Sequence, residues 1–250
     1  MDKKLASIYA RSCHAQKTPE WLRARAEMIT ASDAASVIGL NRYKNRRGLL
    51  AEKLRAHYAP DGTGRVWSSK ATSHGNKYEP VALRAYEVLS GTTFRDDFGL
   101  VRHATIPWVG ASPDGVSSDG ATLLEIKCPY TRTIVPGQVP LMYIPQVQMA
   151  MEVCDVDKCA FVQYKPAGHN APGDDAILDC VMVERDLEWW ETHLPAYRAF
   201  HAEMMDLRDP NKYEAYFGQP PPAPSPVSSA FASEIALARK AAAARARRAI

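Results

Sequence analysis

Residues 112–130, SPDGVSSDGATLLEIKCPY, constrain this chain more than any other stretch. The run TLLEIK reads as a strand, yet it carries Glu125 and Lys127 among apolar neighbours. Residues two apart on a strand share a face. Glu125, Lys127 and Leu123 therefore point one way, and Leu124 and Ile126 point the other way, toward the core. Pro113-Asp114-Gly115 ends the preceding strand in a turn. If the two strands pair antiparallel, Asp114 and Glu125 converge at one end of the sheet. Two carboxylates held together repel, a divalent cation relieves the repulsion, and an all-oxygen site suits Mg²⁺. Lys127 is costly to bury beside them. Next to a metal it can hold an attacking water or neutralise charge developing on a phosphate. Glu-x-Lys by itself is most often a solvated strand face, so the pattern needs support from elsewhere.

The rest of the chain supplies a frame for such a hairpin. Thr18-Pro19 opens the first of two short helices across 19–39; Thr30 or Ser32 caps the second and Gly39 stops it. A basic loop, NRYKNRR at 41–47, leads to a helix at 48–58, a Gly- and hydroxyl-rich loop at 61–75 and an amphipathic helix at 76–91. Strands are predicted at 92–103, 106–115 and 121–129, with a hairpin turn at Asp119-Gly120. A helix over 140–153, strands at 158–166 and 176–185 and a long helix at 186–208 complete the pattern. This order gives an α/β fold, a central mixed β-sheet flanked by helices.

Residues 1–218 read as one domain, and 219–250 as a Pro-rich linker followed by a basic, Ala-rich tail. The formal net charge is +3, but the tail alone carries Arg239, Lys240, Arg245, Arg247 and Arg248 against Glu234, which leaves the body near −1. A body so close to neutral shows no global affinity for nucleic acid, so contacts there must come from local clusters. Arg42, Lys44, Arg46 and Arg47 form one such cluster and are candidates, by charge alone, for contact with a DNA backbone. The tail is expected to order only against a partner; it reads as a loose DNA tether through its arginines, as a docking segment for a partner protein, or as a terminus without function. Five scattered Cys make no disulfide framework, and no apolar run is long enough for a transmembrane helix. No secretory signal is read at the start, so the expected location is cytoplasmic. His74 and His103 read as ordinary surface or core residues, and Trp189 and Trp190 as packing.

Pro113-Asp114, ten residues, then Glu125-Ile126-Lys127 resembles the PD-(D/E)XK nuclease signature. Further motifs surround it in order. They are Glu20-Trp21-Leu22 with Arg25 and Ile29-Thr30-Ala31-Ser32, then Gly75-Asn76-Lys77-Tyr78-Glu79, then Gln146-Val147-Gln148 and Val183-Glu184-Arg185-Asp186. Together they resemble the phage lambda exonuclease and YqaJ-type viral recombinase family.

The resemblance implies a PD-(D/E)XK nuclease core and a Mg²⁺-dependent 5′→3′ exonuclease, with Mn²⁺ as a substitute. Such an enzyme acts on double-stranded DNA ends, releases mononucleotides and leaves 3′ single-stranded tails for recombination by strand annealing. It implies Asp114, Glu125 and the Ile126 carbonyl as metal ligands, Lys127 on the attacking water, and Gln146 and Glu79 lining the site. It places Arg25, Ser32 and Ser112 in a pocket for the terminal 5′-phosphate. A homotrimeric ring, a single-strand annealing partner and a phage or prophage origin in a bacterial host belong to the same expectation. The rival readings are a structure- or site-specific endonuclease on the same fold and a non-catalytic DNA-end-binding protein.

Overall fold

Thr18 accepts a hydrogen bond from the Trp21 amide, and Pro19 supplies a φ suited to the first helical turn. These two residues start α2 (Pro19–Ala26) in a computed structural model that describes residues 3–59, 69–169, 171 and 173–223. Ahead of it, α1 (Lys3–Arg11) inserts Leu5 and Ile8 into the core and leads into β1 (Ser12–Cys13). No element is predicted there, because two apolar anchors in a short stretch flanked by Lys3-Lys4 and Arg11 make a weak pattern. The second predicted helix is in fact two short turns preceded by a strand. They are β2 (Ile29–Thr30), a 3₁₀ turn (Ala31–Asp33) and the one-turn α3 (Ala34–Val37). Asp33 fixes this turn by accepting from both the amide and the hydroxyl of Thr30, at 2.9 and 2.7 Å. Thr30, not Ser32, stands at its start. Gly39, at φ +79°, ends the segment in a conformation that favours glycine.

Asn45 caps α4 (Arg46–Tyr58), and Ser69 caps α5 (Lys70–Ser90). The second of these helices begins at Lys70 rather than at 76, because Ser69 provides a cap that the hydroxyl-rich composition disguised. The strands are β3 (Phe94–Arg95), β4 (Leu100–Arg102), β5 (Val109–Ala111), β6 (Gly115–Ser117), β7 (Thr122–Lys127), β8 (Lys158–Lys165) and β9 (Ile177–Glu184). They form two mixed sheets. The larger has the order β3-β6-β7-β8-β9, in which only β7 and β8 run parallel. The smaller has the order β1-β4-β5-β2.

The predicted strands at 92–103 and 106–115 are therefore each divided between the two sheets. Residues 96–99 carry the chain from β3 to β4. A Cβ on Gly99 would lie 2.2 Å from the His14 carbonyl oxygen, so only glycine admits this approach. Residues 112–114 make the return step from β5 to β6.

Parallel pairing of β7 with β8 requires a crossover, and α6 (Ile144–Cys154) provides it. This helix is buried nearly all round, with Val147, Met149, Ala150, Met151 and Val153 inside. On its side of the sheet Leu123, Cys159 and Phe161 join a core that also holds Trp190, Tyr197 and Phe200 of α7 (Leu187–Asp206). On the other side Leu124, Ile126, Ala160 and Val162 meet Ala82, Leu83 and Tyr86 of α5. β7 is thus covered on both faces, so neither face of the charged strand is the open one. A last helix, α8 (Pro210–Phe217), was not anticipated; Asp209 caps it.

The five cysteines are free, and among the described residues no helix is long and apolar enough to cross a membrane. The predicted tail lies outside the described residues from 224 onward.

Candidate active site

The register of the β6–β7 hairpin pairs Gly115 with Leu124 and sets Asp114 beside the Glu125–Ile126 peptide. Asp114 Oδ2 accepts the Ile126 amide at 2.7 Å. Glu125 is only 2% exposed, which for a carboxylate demands compensation. Its Oε1 receives the Lys127 ammonium and the Gln146 amide nitrogen. Gln146 comes from the first turn of α6, so the crossover that permits parallel pairing also delivers this donor. Lys127 lies 5.3 Å from the ring centroid of Tyr143. Glu79 on α5 lines a cavity of about 360 Å³ together with Asp114 and Ile126. All six residues proposed for the catalytic centre are therefore neighbours.

The charges in this cluster are strongly interdependent. Burial pushes the Asp114 carboxyl well above the usual carboxylate range, and the negative charges of Glu125 and Glu79 push it further. Burial alone would lower Lys127. Glu125 and Asp114 more than reverse that, so the amine is held as an ammonium well above its ordinary value. Asp114 and Glu125 engage the protein through one oxygen each in these bonds, Oδ2 and Oε1. Among the described residues no three side chains of metal-binding type gather at one point. The oxygens that could hold an ion here are those of the two carboxylates, with the neighbouring Ile126 carbonyl as the third ligand that the family resemblance implies. Such a set fits a hard divalent ion that keeps several of its own waters, as Mg²⁺ does.

A repulsive carboxylate has a cost that can be measured. Its penalty is full above the raised pKa of Asp114 and vanishes as pH falls toward the ordinary carboxylate range. Asp114→Asn keeps the acceptor for the Ile126 amide and removes the charge. Because Asp114 is half-buried, water screens part of the effect; the expected gain in EDTA at pH 8 is about 1 kcal/mol, or about 2–4 °C in Tm. At pH 4 the two proteins should melt together. A wild type as stable as the variant at pH 8 would contradict this account.

A second cluster adjoins the first. Arg25 donates to Ser32 Oγ at 2.7 Å, and Ser32 Oγ lies 3.1 Å from the Thr30 hydroxyl. The Trp21 indole donates to Ser112 Oγ at 2.9 Å, and the Arg25 guanidinium lies 4.2 Å from the centroid of that indole. Trp21 therefore links Ser112 to Arg25, a role the sequence reading did not assign. Ser112 is two residues before Asp114, and the field of Glu125 reaches Arg25. Behind this cluster Lys53 is buried, ion-paired with Asp33 at 2.6 Å and bonded to the Arg25 carbonyl at 2.8 Å. The sequence reading missed this pair.

Other candidates lie apart from this cluster. Lys44 pairs with Glu52, and Arg46 pairs with Glu203. Arg47 donates to the Tyr216 carbonyl and Arg42 stacks on Tyr43. Three of the four cations thus fasten the start of α4 within the fold, and none of the four lines the carboxylate cavity. Gln148 faces away from the site, bonding the Glu184 carbonyl and the Asp186 amide. His103 packs on Trp190 and pairs with Glu152, while His74 is buried beside Tyr78.

A β-hairpin carrying two carboxylates and a lysine, in a mixed sheet with a helical crossover, places the chain among α/β nuclease folds. The structure is similar to that of an alkaline exonuclease from Laribacter hongkongensis, with a TM-score of 0.64, 31% identity and coverage of 80% of this chain and 98% of that one. The same exonuclease solved in complex with dAMP matches at a TM-score of 0.65 and 30% identity, over the same shares of the two chains. The family model described as the YqaJ-like viral recombinase domain matches residues 20–157. The chain belongs to the YqaJ-like viral recombinase family. Among curated relatives, protein YqaJ of Bacillus subtilis is 25% identical over 203 residues, covering 76% of this chain and 60% of its own length. Protein R354 of Acanthamoeba polyphaga mimivirus is 32% identical over 167 residues, covering 60% of this chain. This chain spans only 29% of that mimivirus protein.

Proposed function

We propose that this protein is a divalent-metal-dependent exonuclease that degrades one strand of linear double-stranded DNA from its 5′ end. It releases mononucleotides and leaves 3′ single-stranded tails for recombination. The observation that carries this reading is the adjacency of two clusters: a carboxylate–lysine centre suited to phosphodiester hydrolysis and an Arg25–Ser32–Ser112 cluster, linked through Trp21, suited to a terminal phosphate. The similarity to an alkaline exonuclease solved with a nucleoside monophosphate supports it.

Asp114, Glu125 and the Ile126 carbonyl would hold Mg²⁺, or Mn²⁺ in its place, and the ion would polarise the scissile phosphate and acidify a water. Lys127, as an ammonium, donates to that water or to the charge growing on phosphorus oxygens. Gln146 holds the Glu125 carboxylate in orientation, and Glu79 closes the acidic wall. Arg25 with Ser32 and Ser112 grips the terminal phosphate, so each cut falls at a fixed distance from the end. A homotrimeric ring around the duplex and delivery of the tails to a single-strand annealing protein complete the reading. A ring would retain DNA without a strongly basic body.

Incubation of linear duplex in Mg²⁺ or EDTA, beside a covalently closed circle, tests the reading. Release of mononucleotides from the linear form alone is expected; cutting of the closed circle would indicate an endonuclease. Arg25→Ala should slow digestion of 5′-phosphorylated ends roughly 10- to 100-fold more than that of 5′-hydroxyl ends, because the lost charged hydrogen bond exists only with the phosphate. Equal slowing of both substrates would assign Arg25 to the fold or to general attraction.

A further inference from the structure

A second wall of the cavity lined by Glu79, Asp114 and Ile126 comes from a stretch ahead of the family match. Gln16 and Lys17 line the cavity with Glu79, Asp96, Asp114 and Ile126. This stretch is held in place at several points. Gln16 Nε2 donates to the carbonyls of Phe98 and Pro113, at 3.1 Å each, and Pro113 immediately precedes Asp114. The bare Cα of Gly99 lets the His14 carbonyl approach closely. Thr18 then caps the next helix. Within the stretch His14 and Lys17 have φ of +53° and +67°. Side chains other than glycine rarely adopt that left-handed conformation, and such strain collects where a position is used. A glycine would relax residue 17, yet the chain carries a lysine there.

The cavity's charges make the choice intelligible. Its lining includes the carboxyl side chains of Glu79, Asp96, Asp97 and Asp114, and among the described lining residues Lys17 is the one cation. Asp97 is engaged by the Tyr9 hydroxyl at 2.6 Å. DNA entering this acidic cavity brings further negative charge. A metal at Asp114 and Glu125 would neutralise the catalytic side, which leaves the wall formed by Asp96 and Glu79 repulsive.

We propose that Lys17 is a substrate-binding residue that pairs with a backbone phosphate of the strand in the catalytic cavity, distinct from the terminal phosphate assigned to Arg25. The proposal rests on the reading of DNA as the substrate.

The test is the affinity of the full chain for a 5′-phosphorylated duplex of about 20 base pairs, titrated across salt with Ca²⁺ in place of Mg²⁺. Lys17→Ala should weaken binding about five- to tenfold and reduce the steepness of log affinity against log salt by about 0.9, the signature of one lost phosphate contact. Lys17→Arg should retain the wild-type slope. Lys17→Gly removes the amine but relaxes the backbone. It should match Lys17→Ala in slope while resisting urea at least as well as wild type. An unchanged slope in Lys17→Ala, or wild-type affinity in Lys17→Gly, would overturn the proposal; the second result would make residue 17 a matter of backbone geometry. The titration involves no turnover. A protein that binds duplex but releases no nucleotide therefore sinks the exonuclease reading while Lys17 is still judged by its slope. Absence of duplex binding by the wild type sinks both.

Discussion

Digestion of linear duplex by Lys127→Ala is expected to fall at least about a hundred- to a thousandfold, the loss typical of one preorganised donor at a reacting centre. Asp114→Ala and Glu125→Ala should be at least as severe, and they should differ from Lys127→Ala in a second measurement. Calorimetric titration with Mn²⁺ should show binding to Lys127→Ala and no heat with either carboxylate variant. The difference follows from the geometry. Lys127 donates to Glu125 but contributes no oxygen, whereas Asp114, bonded to the Ile126 amide, and Glu125 supply the carboxylate oxygens at this end of the hairpin. Full digestion by any one of the three variants would remove that residue from the mechanism. Far-ultraviolet circular dichroism guards against loss of fold, which matters most for Lys127→Ala because Glu125 is then buried without its counter-ion.

The second large effect is on stability. Lys53→Met removes one partner of a buried ion pair and leaves Asp33 charged and enclosed. Such a break costs about 3–5 kcal/mol, and about 2–4 °C of Tm accompanies each kcal/mol in a domain of this size. Urea unfolding should show the loss, and Lys53→Met combined with Asp33→Asn should recover part of it, since no lone charge then remains inside. A Lys53→Met protein within about 1 kcal/mol of wild type would show that water reaches Asp33. Lys53 also bonds the Arg25 carbonyl, so the recovered double variant is a means to ask whether the Arg25–Ser32 cluster keeps its shape without the pair.

The catalytic hairpin was legible in the sequence because its geometry is local. Asp114, Glu125 and Lys127 lie within fourteen residues, and strand periodicity with one antiparallel turn is enough to bring them together. Arg25, Ser32 and Ser112 come from separate segments, so only the family resemblance could join them. Trp21, whose indole makes the physical link, was visible in the same motif but had no partner to define its role. Lys53 was hidden for another reason. It shares the inner face of α4 with Leu49, Leu50 and Leu54, where a lysine ordinarily extends its amine back to water. Its burial depends on Asp33, twenty residues earlier in the chain, and nothing local announces that contact. The division of residues 92–115 between two sheets was equally hidden, because Phe94, Phe98 and Leu100 fall at the even spacing of one strand face although Asp96 interrupts it and the strand does not continue. The basic cluster at 42–47 shows the converse limit. Charge was visible, but Glu52 and Glu203, which neutralise Lys44 and Arg46, were not attached to it by any sequence rule.

The parallel pairing of β7 with β8 also sets the order in which the site is assembled. The β6–β7 hairpin can close on a microsecond timescale from neighbouring residues alone. Pairing with β8 must wait until the thirty residues between the two strands have been made and α6 has packed, and closing such long loops is what slows folding. Gln146 arrives only with that step. A chain emerging from the ribosome therefore carries Asp114 and Glu125 well before it has the enclosure that raises the Asp114 carboxyl. If the proposed function holds, digestion of duplex should appear cooperatively with the last long-range contacts of refolding, later than the bulk of the β-hairpin signal, and a half-folded chain would leave the DNA around it intact.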